Sequence, residues 1–181
     1  MPDELIDIYD EFNNPTNIKK MRNTAHNEGL WHRSAHIWVY NQKGEILLQL
    51  RAKDKLFYPN MWDISASGHV GAGEEPITAG LREIKEEIGL KIRKEDLHFF
   101  KIKKVKRKYK NLENNEFYYV YILRFDGDIS KLKLQNEEVQ KIKSIPIEKF
   151  KEELKSNSVN YVPHGNYWYE AIDEIKKEIK A

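Results

Sequence analysis

Glu83, Glu86 and Glu87 stand three and four residues apart inside the stretch from Gly68 to Leu90, GHVGAGEEPITAGLREIKEEIGL. On a helix turning about 100° per residue, their carboxylates spread over an arc of roughly 100°. Carboxylates so close raise one another's pKa unless a cation neutralises them. An all-oxygen ligand set favours Mg²⁺, with Mn²⁺ as a substitute, and such ions keep several waters and recruit substrate phosphates. Taken alone, the triplet reads equally as a solvated helix face with Arg82 and Lys85 as counter-charges. The residues around it argue for a site.

The helix that must carry these acids is delimited by Pro76, suited to a first turn, and Gly89, suited to a left-handed stop. Ile77, Leu81, Ile84 and Ile88 fall within roughly 60° of one another and form an apolar stripe facing a core. Upstream, Gly68 is followed after five residues by Glu74, and Glu74 after seven by Arg82. Arg82, Glu83, Ile84, Glu86, Glu87, Gly89 and Leu90 then complete a pattern that matches every fixed position of the Nudix box, and the chain resembles the Nudix superfamily of diphosphate hydrolases.

That resemblance implies a Mg²⁺-dependent hydrolase acting on a small-molecule diphosphate, a nucleoside diphosphate derivative or a related X-linked diphosphate. It implies metal held by Glu83, Glu86 and Glu87 with help from the Gly68 carbonyl, and an Arg82–Glu74 ion pair that orients the carboxylates. Candidates for the general base are Glu83, Glu116 and the pair Glu137 and Glu138. The implied fold is an α/β/α sandwich with a mixed central sheet.

Over roughly residues 3–150, the layout HRSAHIWVYNQKGEILLQLRAKDK, then PNMWDISASGHV, then the box, looks like the Nudix branch that includes type I isopentenyl diphosphate isomerase. In that branch Arg51 and Lys55 would hold the substrate diphosphate. His32 and His69 align with two histidines of the isomerase's further metal site, while His26 sits one residue out of step with a third. Glu116 matches one acid of that site, but the other is Asn114, so this site reads as incomplete. The isomerase's catalytic cysteine is replaced by Ser67, whose hydroxyl has far too high a pKa to stand in for a thiol. Hydrolysis is the expected chemistry.

The remaining elements follow from patterning. Residues 4–12 alternate before turn chemistry at Asn13 to Thr16, so an N-terminal β-hairpin is expected within residues 1–30. Further strands are expected over 32–40, 46–50, 62–67, 97–109, 116–125 and 142–147, with 110–115 as a polar connection. A short helix should end near Leu154, and another should span 166–180 with Tyr169, Ile172 and Ile175 inward. At 181 residues the chain suits one domain, 1–181, its C-terminal helix lying within 157–181.

The absence of cysteine excludes disulfides, thiolate nucleophiles, iron–sulfur clusters and cysteine zinc sites. The acidic N-terminus lacks a secretory layout and no apolar run is long enough for a bilayer, so a cytoplasmic, non-membrane protein is expected. A net charge of +2 argues for no particular partner. The run 101–110, KIKKVKRKYK, is a solvated strand or a positive rim for phosphorylated ligands, and no nucleic-acid signature accompanies it. Trp31, Trp38, Trp62 and Tyr58 are either core or platforms for a base. The extra edge of the hairpin suits a homodimer.

Overall fold

The computed structural model describes residues 3–110 and 112–180. The expected hairpin is present: β1 (Leu5–Tyr9) and β2 (Pro15–Met21) pair antiparallel, and Ile6 and Ile8 turn inward together. The next element escaped the patterning. Helix α1 (Arg22–Glu28) buries only Ala25 and His26, too little to leave an apolar period, although its left-handed stop at Gly29, φ 63°, is visible in the sequence.

Strand β3 (His32–Tyr40) forms the middle of the sheet. The helix-to-sheet packing leaves both its faces covered, and Ala35, Ile37, Trp38 and Val39 are buried. β4 (Glu45–Arg51) pairs antiparallel with β3 only at Val39–Leu47 and Tyr40–Ile46. The two strands then part because Ser65 inserts between them, its hydroxyl accepting from the Val39 N–H at 2.7 Å and donating to the Leu47 carbonyl at 2.5 Å. The strand expected over 62–67 is therefore broken into β5 (Trp62–Asp63), which pairs with β4, and β6 (Ala66–His69), which takes the free edge of β3.

Helix α2 (Pro76–Ile88) has the expected bounds. Gly89, at φ 72°, donates its N–H to the Lys85 carbonyl, and the Leu90 N–H returns to Ile84. Beyond it, β7 (His98–Tyr109) and β8 (Leu112–Arg124) form a long antiparallel pair that turns at Lys110, φ 55°. The polar connection expected over 110–115 is thus shorter, since residues 112–115 continue the ladder; Asn111 lies outside the described residues. β8 runs parallel to β3 from His32–Glu116 to Tyr40–Arg124. β9 (Val139–Pro146) covers the outer edge of β4.

Two hydrophobic layers sandwich this mixed sheet. Ala35, Ile37, Val39, Leu47 and Tyr121 face Ile84 and Ile88 of α2. The alternate residues Trp38, Leu48, Val120 and Ile122 face α3 (Ile147–Ser156) and α4 (Tyr167–Lys180) through Phe150, Trp168, Ile172 and Ile175. Period-two alternation in the strands thus feeds both layers from one sheet. Among the described residues no helix is long and apolar enough to cross a membrane.

Candidate active site

A cavity of about 680 Å³ opens where β4 diverges from β3, bounded by the hairpin side, α2, the 54–58 loop and residues of β7 and β8. Glu83, Glu86 and Glu87 of α2 all line it. Their settings differ. Glu87 is buried and one of its oxygens accepts from the Ser67 N–H at 3.0 Å and the Gln49 amide at 3.1 Å. Glu83 lies against Gly68, where any side chain would overlap its carboxylate. Glu86 is half exposed.

Burial is the main reason that Glu83 is pushed up to about 7 and Glu87 to about 8. Arg82 opposes the first shift and Lys55 the second, but neither cation neutralises both acids. Two carboxylates whose charged forms desolvation disfavours, beside a third on the same wall, fit a divalent cation, which would supply the missing charge. Arg82 bonds Glu74 through two nitrogens, at 3.0 and 3.1 Å, reaches Glu83, and donates to the His69 carbonyl at 3.0 Å. Glu74 in turn accepts from the Gly71 N–H at 2.9 Å, so this pair clamps the glycine loop to the helix. Burial works against the charge on Arg82, yet its carboxylate partners hold its pKa above the ordinary arginine value.

Arg51 and Lys55 also line the cavity, but each already has a carboxylate partner. Arg51 bonds the buried Asp63 at 2.9 Å, and Lys55 pairs with the buried Glu138. Lys55 thereby ties Glu138 to the Glu87 side of the cavity, whereas Glu116 lies in a separate group.

That second group corrects one part of the expectation of an incomplete histidine site, the place of His26, and leaves the missing acid at Asn114 as expected. Helix α1, absent from the sequence reading, swings His26 into place despite its offset in sequence, and donor atoms of His26, His32, His69 and Glu116 all lie within 4.8 Å of one another. The His32 Nδ1–H donates to the Leu30 carbonyl at 2.8 Å, which turns its Nε2 toward His26 at 3.2 Å and Glu116 at 3.4 Å. Fixing the far ring nitrogen in this way is the usual preparation of a metal-binding imidazole. Burial lowers His26 to about 3 and also lowers His69. Burial would raise Glu116, but its histidine neighbours hold it well below the usual carboxylate range. Imidazole nitrogens around an ionised carboxylate fit a borderline cation. Asn114 does not join as an acid; its amide donates to the second Glu116 oxygen at 2.6 Å.

A third set was missed altogether. Asp63 accepts from His164 Nε2 at 2.7 Å, and His164 Nδ1 accepts from Arg107 at 2.9 Å. His36, stacked on Tyr118 with ring centroids 3.8 Å apart, meets the Tyr167 hydroxyl through Nδ1. Burial lowers His164, and it lowers His36 to about 3, so both are neutral near pH 7. His36, Asp63, Arg107 and His164 lie far apart in the sequence and leave no local signal.

Residues 30–164 match the family model described as NUDIX domain. The chain belongs to the Nudix family. It is 32% identical over 169 residues to Nudix hydrolase 3 of Arabidopsis thaliana, an alignment covering 91% of this chain and 22% of that much longer protein. It is 29% identical over 125 residues to isopentenyl-diphosphate Delta-isomerase of Serratia proteamaculans, covering 69% of this chain and 68% of that one. The crystal structure of DR0079 from Deinococcus radiodurans shares the fold, with a TM-score of 0.70 at 19% identity over 94% of this chain and 98% of that one. Within this Nudix fold the glycine loop, the Glu74–Arg82 pair and the helix carboxylates meet at one cavity wall. Of the four aromatics weighed as platforms, Tyr58 lines the cavity, while Trp38 is fully buried with its N–H on Tyr167.

Proposed function

We propose that this Nudix protein is a Mg²⁺-dependent hydrolase that cleaves the diphosphate linkage of a nucleoside diphosphate derivative or a related X-linked diphosphate. The observation that carries this reading is the juxtaposition of Glu83, Glu86 and Glu87 at a cavity wall, with Glu83 and Glu87 too poorly neutralised by Arg82 and Lys55 to stay fully ionised near pH 7. Mg²⁺, or Mn²⁺ in its place, would be held by these three carboxylates and the Gly68 carbonyl, and when bound supplies charge neutralisation of the phosphate oxygens and an acidified water. The protein's own contribution is positional. Ser67 and Gln49 fix one oxygen of Glu87 and leave the other for a ligand. The Glu74–Arg82 clamp holds Glu83 and the loop in register.

Glu138 is the better candidate for the base. Both oxygens of Glu116 are engaged, and a carboxylate held far below its usual range is a weak proton acceptor. Glu138 instead lines the cavity on the Glu87 side, where Lys55 holds it beside the carboxylates that would carry the metal. Arg51 and Lys55 remain diphosphate ligands in this reading, each sharing its charge with Asp63 or Glu138.

The test is a screen of nucleotide sugars, dinucleotides, nucleoside di- and triphosphates and prenyl diphosphates with Mg²⁺, read by phosphate or nucleotide release. Glu86→Gln serves as the control, because its half-exposed carboxylate leaves the fold untouched. Loss of a coordinating charge should cut turnover by about a thousandfold or more. Near wild-type rates at saturating Mg²⁺ would refute the metal assignment.

The assembled histidine group favours a second reading, prenyl diphosphate isomerisation. Ser67 in place of a thiol and Asn114 in place of an acid count against it. No exchange between isopentenyl and dimethylallyl diphosphate is expected; exchange at a rate comparable to the best hydrolysis would reverse the ranking.

A further inference from the structure

Every other arginine or lysine lining the cavity that has been described above is matched by a carboxylate. Arg51 bonds Asp63, Lys55 bonds Glu138, and Arg82 bonds Glu74 and Glu83. Arg22 lies at 3.2 Å from Glu4. Arg107 differs. It comes from β7, is half-buried, lines the same cavity, and among the described residues forms no ion pair; its hydrogen-bond partner is the neutral ring of His164.

The neighbours explain why it stays in place. His164 uses Nε2–H on Asp63 and so must present the Nδ1 lone pair to Arg107, and Asp63 is itself fixed by Arg51 and by the Ile64 N–H at 2.8 Å. A chain of hydrogen bonds, Arg51 to Asp63 to His164 to Arg107, thus orients a guanidinium without consuming its charge. On the same cavity wall Ser34 is buried with a hydroxyl that has no protein partner, a polar atom left for something that enters the cavity. A partly desolvated guanidinium without a counter-ion is costly unless an anion meets it, and a planar fork suits phosphate or carboxylate oxygens.

We propose that Arg107, presented by the Asp63–His164 pair, is a substrate-binding residue that takes an oxyanion of the ligand in this cavity. The inference rests on the diphosphate reading above for the kind of ligand, but not on its being hydrolysed. Two sources of the oxyanion are chemically equivalent: the diphosphate itself, or a further phosphate on the group attached to it. The fork serves binding, so ground and transition states should benefit alike.

The test is calorimetric binding, in Mg²⁺, of three probes that are not cleaved at the bridging carbon: methylenediphosphonate, α,β-methylene-ADP and α,β-methylene-ATP. Arg107→Gln keeps an N–H donor for His164 but removes the charge, and should weaken at least one probe about tenfold or more. Arg107→Lys keeps a charge and should recover part of that loss, which a merely structural role would not predict. Equal loss for all three probes identifies the diphosphate as the partner, and loss confined to the ATP analogue identifies the additional phosphate. Ser34→Ala, which breaks no bond within the protein, should fold normally with an unchanged or raised Tm and weaken the same probe. If Arg107→Gln binds all three probes within about twofold of wild type, the proposal is wrong whatever Ser34→Ala does, and so it is if wild type binds none of them. Binding that follows the expected pattern without any turnover in the screen would instead refute hydrolysis and leave the role of Arg107 standing.

Discussion

The Gly68 backbone occupies the place that lets the Glu83 carboxylate approach β6; a Cβ at that position would overlap the carboxyl group itself. The glycine is needed for space, not for a left-handed φ. Because the obstructing atoms are the far end of a flexible side chain, Gly68→Ala should fold, with Glu83 driven to another rotamer. We expect turnover to fall by about a hundredfold or more with the Tm within a few degrees of wild type, read by a melt beside the hydrolysis assay. Full activity in that variant would mean that Glu83 is not needed where it stands.

Glu87 supplies a pH signature for the metal-free protein. Its folded pKa, about 8, lies above the ordinary 4.5, so its contribution to stability is complete below the ordinary value and is lost as pH rises through about 8. Glu83, at about 7, acts in the same direction. The histidines His26, His36, His69 and His164 are shifted down from 6.5, and their stabilising neutral forms are fully present above that pH. Between pH 6.5 and 8 the acids therefore decide, and stability should fall with pH in chelator. Saturating Mg²⁺, or Glu87→Gln, should flatten that slope in denaturant titrations.

Arg51 is expected to matter for stability as well as for ligand binding. It is the charged partner of Asp63, a buried carboxylate that desolvation would neutralise but that His164, Arg51 and the Ile64 N–H hold well below its usual range. Arg51→Ala leaves that charge to a neutral imidazole, and breaking a buried pair from one side costs about 3–5 kcal/mol. Asp63→Asn in the same chain should return part of the loss, measured as a double-mutant cycle in urea.

The histidine group should bind a transition metal independently of the helix carboxylates. Co²⁺ should give d–d absorption and raise the Tm of wild type and of Glu86→Gln alike, while His69→Ala, a change at a partly exposed ring, should abolish the absorption. An unchanged Co²⁺ spectrum in His69→Ala would place the ion elsewhere.

The helix carboxylates were legible because their chemistry is local. Glu83, Glu86 and Glu87 lie within one turn and a half of a helix whose start at Pro76 and stop at Gly89 are written in the sequence, and Glu74 and Arg82 meet across the first turns of that helix. The alternation that packs β3 between two helical layers was legible for the same reason, since side-chain direction in a strand depends only on the backbone's period of two.

Other features depend on distances through space. Whether His26 reaches His32 turns on a short polar helix with almost no apolar signal, and the break in the strand after Trp62 turns on a Ser65 hydroxyl that meets β3 and β4 only once both are in place. The same holds for charge. By itself the sequence determined that Arg51 and Lys55 are cations near a glycine loop, but folding decided that Asp63 and Glu138 would partly neutralise them. It left Arg107, one of seven basic residues in a row of ten, as the cavity arginine without an acid beside it among the described residues. Pairing between buried charges is set by which strands become neighbours, and that is a property of the whole chain packed at once.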